Sequence, residues 1–174
     1  MKKTIKKFMA ALLAVALLCA MAVPAFAAEG ATTGTSNTGS ITITNAAKGE
    51  TYTIYRIFDL ESYSGDNYSY KLSDKWTGLA NDATFKNYFN IITGGYVVPK
   101  DAYTEDAAKT FAAAALAFAK STTAPIANDG SAVATDTTVS FTGLQLGYYL
   151  VDTTQGTLCS LDTTADHVDI KDKT

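Results

Sequence analysis

TYTIYRIFDL, residues 51–60, is the stretch on which the fold turns. Side chains two apart along a strand point the same way, so Tyr52, Ile54 and Phe58 fall on one side and Tyr55 and Ile57 on the other. A strand that is apolar on both sides needs cover on both, and the run is therefore read as a central strand. Upstream, ITITNA (41–46) alternates branched apolar with polar residues, and Lys48-Gly49 supplies a turn between the two runs. Downstream, NYSYKLS (67–73) alternates cleanly, with Tyr68, Tyr70 and Leu72 on one face, and the Ser64-Gly65-Asp66 turn predicts a hairpin with the central strand.

Further along, a looser stretch through Trp76, Phe85, Tyr88 and Phe89 suggests a short helix around 82–91, and GYVV (95–98) a short strand ended by Pro99. TEDAAKTFAAAALAFAK (104–120) is the one strong helix. Thr104 can cap it, Glu105 and Asp106 sit at its positive end and Lys120 at its negative end, and alanine fills its body. Phe111, Ala115 and Phe118 are predicted to form its buried stripe. A polar loop (121–137) precedes four more strand patterns: TVSFTGL (138–144), GYYLVDT (147–153), TLCSLDT (157–163) and HVDIKD (167–172). Many short strands with glycine turns and one inserted helix, about 104–120, predict a mostly β, Ig-like β-sandwich over residues 40–174.

The first 27 residues have a basic start, an apolar run from Phe8 to Val23, and Pro24 before Ala25-Phe26-Ala27. This is the pattern of a secretory signal peptide cut after Ala27, followed by a small, polar, glycine-dotted leader at 28–39. Leu18 is too large for a lipid-anchor motif at Cys19. Cleavage would leave 10 basic against 17 acidic residues and a net charge of −7, a poor match for nucleic acid or anionic membranes. It would also leave Cys159 alone, so no intrachain disulfide is expected.

Catalysis has little to draw on. Cys159 lies among strand leucines and reads as a core residue, His167 is the only histidine and reads as a surface residue at a strand start, and no base–nucleophile pair is expected. The aspartates lack calcium-loop spacing, there is no histidine pair for zinc, and no glycine loop cradles phosphate, so neither cofactor nor metal is expected. Trp76 and the strand tyrosines leave open an alternative reading, a secreted carbohydrate-binding module that stacks sugars on those rings.

YYLVDT (148–153) resembles the Y-x-L-x-E-T box of Gram-positive pilin and collagen-adhesin B-type domains, with Asp152 in place of glutamate. GSITITNAAKGETYTIYRIFDLES near the start, FAAAALAFAK in the middle and TLCSLDTTADHVDIKDKT at the close are similar to segments of sortase-assembled fimbrial subunits, in the family's order. The resemblance implies the N-terminal domain of such a subunit, a structural or adhesive cell-surface module that is not an enzyme. It also implies other pilin subunits and sortase as partners, and host or glycan ligands.

In that family the box acid helps a lysine of an early strand to attack an asparagine or aspartate of the last strand, forming an isopeptide bond. Asp152 is the candidate acid here. Arg56 stands at the amine position and its guanidinium cannot attack, which leaves Lys48. No asparagine follows Asn128, so Asp169 and Asp172 are the candidate acceptors. The expectation is that Asp152 faces the interior beside the first and last strands, yet that no bond forms. For the lysine that sortase would crosslink, VDIKDKT (168–174) aligns Lys173 with the family's pilin motif, and YVVPKD offers Lys100. No L-P-x-T-G, apolar tail or basic end occurs up to Thr174, so the expected product is secreted or is the front piece of a longer pilin.

Overall fold

The computed structural model describes residues 38–64, 67–152, 157–161 and 167–172. The predicted signal peptide, most of the predicted leader, the Gly65-Asp66 part of the predicted turn and Lys173 lie outside the described residues. The chain is mostly β, with two sheets. The small sheet has strand order β10-β1-β7, from β1 (Thr38–Thr44), β7 (Thr138–Gln145) and β10 (His167–Lys171). The large sheet runs β4-β5-β3-β2-β8-β9, from β2 (Thr51–Ser64), β3 (Asn67–Leu72), β4 (Phe89–Ile92), β5 (Tyr96–Pro99), β8 (Gly147–Asp152) and β9 (Thr157–Leu161); β6 (Gly130–Val133) also pairs with β2. The first strand begins at Thr38, three residues before the predicted run 41–46 and two before the predicted domain start at residue 40.

As its sequence requires, β2 is central, with β8 along one edge and β3 and β6 in line along the other. Between those two, Asp129 stands in for a strand: its N–H donates to the Ile54 carbonyl at 2.8 Å and its carboxylate accepts from Arg56 N at 2.6 Å. One face of the large sheet packs on the small sheet through Ile41, Ile43, Tyr52, Ile54, Phe141, Tyr149, Val151, Val168 and Ile170. The other packs on a helical layer: a 3-10 helix (Asp74–Asn81), α1 (Ala83–Tyr88) and α2 (Glu105–Ala119).

Three predicted features change. Phe58 does not share a face with Tyr52 and Ile54 but packs with Tyr55 and Ile57 on the helical side. The register of β2 against β8 shifts between Arg56 and Phe58, and this bulge inserts one residue and reverses the alternation. Gly147 makes the crossing possible, since a Cβ there would lie 2.3 Å from the Phe58 carbonyl oxygen. The helix predicted at 82–91 ends at Tyr88 and gives way to β4, because Phe89–Ile92 pairs with β5 in a hairpin. The polar loop 121–137 contains β6, whose strand character comes from pairing with β2 rather than from apolar residues of its own.

The long helix follows its sequence more closely. Thr104 Oγ1 accepts from Ala107 N at 3.3 Å, the predicted cap. Phe111 is 0% exposed and meets the rings of Phe58, Phe89 and Tyr103. Alanines at 107, 108, 112, 115 and 119 let the helix approach the sheet, while Phe118 sits half-buried at the flank, stacked on Trp76 at 5.9 Å.

Candidate functional site

The box acid comes first. Tyr148, Leu150 and Asp152 share a face of β8 as the alternation predicts, but that face is the helical one: Tyr148 and Leu150 belong to the core under the helices, and Tyr149 and Val151 to the core between the sheets. Asp152 Oδ2 lies 2.6 Å from Lys120 Nζ, the amine of the residue that ends α2. The expectation that Asp152 faces the first and last strands is therefore corrected. A residue's parity along a strand fixes its companions, but it does not say which covered face they occupy. Tyr55 lies beside the pair, and its phenol is held above its usual value first by burial and then by the Asp152 carboxylate, with Lys120 opposing.

The candidate acceptors lie elsewhere. Asp169 is on the outer face of the small sheet, where Oδ1 is 3.0 Å from His167 Nε2. Asp172 follows β10 and is 3% exposed. Its Oδ2 accepts from Tyr52 OH at 2.7 Å, its N–H donates to the Thr44 carbonyl at 2.9 Å, and its carbonyl accepts from Asn45 Nδ2 at 2.9 Å. Ala47 N donates to the Tyr52 oxygen at 2.8 Å. Burial is the largest cause raising the Tyr52 phenol, the Asp172 carboxylate adds to it, and the Ala47 N–H works the other way. Lys48 is in the same corner, exposed in the turn between β1 and β2. Box acid and acceptors are thus on opposite sides of the large sheet, and the three parts of an isopeptide site do not meet.

Arg56, at the expected amine position, serves the sheet instead. It packs over Gly147, its Nε lies 2.8 Å from Asp59 Oδ1 in an ion pair too bent for a hydrogen bond, and its Nη1 donates to Gln145 Oε1. Lys100, the second candidate for a sortase crosslink, donates its amine to the Lys86 carbonyl near the end of α1 and is half-buried.

The stacking reading of Trp76 is also corrected. The ring is 0% exposed between Phe118 and Tyr55, and its Nε1 has no hydrogen-bond partner among the described residues, so it fills the helical core and presents no face to a sugar. Of the tyrosines, Tyr52, Tyr55, Tyr70, Tyr103, Tyr148 and Tyr149 are buried. Cys159 is 0% exposed, as its leucine neighbours suggested.

One arrangement was missed because its members lie 127 residues apart. Ser40 Oγ is 2.6 Å from His167 Nδ1, which with Asp169 completes a serine–histidine–aspartate chain across β1 and β10. The expectation that no base–nucleophile pair exists fails on geometry. These side chains lie on the water-facing side of the small sheet, with His167 46% exposed, where solvent competes for each of their bonds. Among the described residues, no group of three or more His, Cys, Asp or Glu could hold a metal ion. No described helix is long and apolar enough to cross a membrane. No family model matches this chain, and no curated protein matches it.

Proposed function

We propose that this chain is an Ig-like structural or adhesive module of a Gram-positive surface pilus, working at the cell surface as the N-terminal domain of a fimbrial subunit. The observation that carries the reading is the seam between the first and last strands. β1 and β10 run parallel, from Ser40 opposite His167 to Thr44 opposite Lys171. The chain comes into the domain at one end of the seam and leaves at the other, as a link in a fibre must. A pull along such a link loads the bonds of the ladder together, in shear, where an antiparallel hairpin would release them one at a time. The order of the pilin-like segments supports the same reading, with sortase and other subunits as partners. The carbohydrate reading loses its stacking residue with Trp76 enclosed.

The test is an antibody to residues 38–172 applied to detergent-boiled wall extracts of the source cells. The expected result is a ladder of high-mass species that collapses when sortase is deleted. A single species of monomer mass, confined to the medium, would overturn the proposal.

A further inference from the structure

We propose that Asp172, Tyr52 and Asn45 form a mechanical latch, the contact that a pull along the chain must break before the first and last strands slide apart. The seam has two ends of different character. Where the chain comes in, the side-chain tie is Ser40 to His167, exposed, so water replaces it as it opens. Where the chain leaves, Asp172 is buried and held three ways: by the Thr44 carbonyl, by Asn45 Nδ2 and by Tyr52 OH.

Tyr52 makes this end more than a strand terminus. It belongs to β2 and its ring lies in the core between the sheets, so its hydroxyl ties the last strand of the small sheet to the centre of the large one. The Ala47 N–H donated to the same oxygen fixes the hydroxyl in place, and Asn45 holds a positive φ of 57° at the corner where β1 turns. Force applied beyond Asp172 meets this cluster before it reaches the ladder of β10. Separating Asp172 from Tyr52 leaves two buried polar groups without each other until water arrives, which places the cost at the barrier to opening.

The test is force-clamp unfolding of the full chain held by handles at its two ends. Tyr52→Phe, which keeps the ring, is expected to unfold about tenfold faster at a fixed force, the rate equivalent of one hydrogen bond to a carboxylate. Asn45→Gly, which suits the positive φ and so keeps the corner, is expected to shift the rate in the same direction by less. Tyr103→Phe is the control: it removes the 2.8 Å bond to the Tyr148 hydroxyl on the helical side, off the line of load, and is expected to unfold within about twofold of the parent. If Tyr52→Phe does not fold, Asn45→Gly decides. Parent-like rates for the latch variants, or an equal acceleration by Tyr103→Phe, would overturn the latch. The latch uses the seam on which the pilus reading rests, yet it is a property of the isolated domain, so laddered wall extracts and a failed latch, or the reverse, tell the two apart.

Discussion

The two faces of the large sheet are packed by different chemistry. Under the helices the core is aromatic: Phe58, Phe85, Phe89, Tyr103, Phe111 and Tyr148 meet at ring separations from 4.5 to 6.4 Å. Against the small sheet it is mainly aliphatic, built from Ile41, Ile43, Ile54, Val139, Val151, Val168 and Ile170. Flat pleated surfaces suit branched side chains, whereas an alanine-rich helix leaves room that large rings fill. The polar groups follow the same division. The box acid stands on the aromatic side at the edge, and the buried aspartate stands on the aliphatic side at the seam. The likeness of YYLVDT to a family box therefore extends to a strand but not to an assembled site, since Asp152 and the candidate acceptors lie across the large sheet from each other.

The largest test of this division removes one side chain from each core. Phe111→Ala is expected to cost about 3–5 kcal/mol and Ile43→Ala about 2–5 kcal/mol in urea unfolding, since both side chains are fully enclosed. A loss within about 0.5 kcal/mol for either would place that residue outside its core. Alkaline pH acts on both faces at once. Burial raises the phenols of Tyr103 on the helical side and of Tyr52 and Tyr149 on the other above 10.0, so above that pH the folded state holds protons that the unfolded state has released. Stability is thus fully present below the unfolded value and falls as pH rises beyond it; a urea midpoint that stays level from pH 9 to pH 11, about one unit either side of the free tyrosine value, would contradict this burial.

Smaller effects separate the two polar sites. Lys120→Ala is expected to cost no more than about 1 kcal/mol, because the lysine is 54% exposed and water screens its pairing with Asp152. A loss several times larger would make that pair a structural tie of the helical face. For the exposed Ser40, His167 and Asp169 chain the expected effect is nil: a fluorophosphonate probe should leave Ser40 unlabelled, and labelling abolished by His167→Ala would show an activated nucleophile.

Much of this architecture can be read along the chain. Alternation marks β1, β3, β7 and β10, the apolar run GYYLV marks β8, and Thr104, the acidic first turn and the alanines mark α2. What escapes is whatever depends on a distant partner. Phe58 changes face because of a bulge set by β8, and nothing in TYTIYRIFDL announces it. β6 is a strand because β2 offers it an edge. Lys120 reads correctly as a helix end, but its contact with Asp152 depends on where the helix lands, and Tyr52 finds Asp172 across 120 residues. Parity gave Asp152 its companions; with both faces of β8 apolar it had no means of saying which layer they meet.

The placement of the box acid on one side of the large sheet and the candidate acceptors on the other is tested most directly by the intact mass of the purified chain, with its N-terminus fixed by sequencing. The account predicts the mass of the linear sequence, with Asp152 held by Lys120 and Asp172 by Tyr52 through noncovalent bonds alone. A mass lower by one water, restored to the linear value in Lys48→Ala or Asp152→Ala, would contradict it.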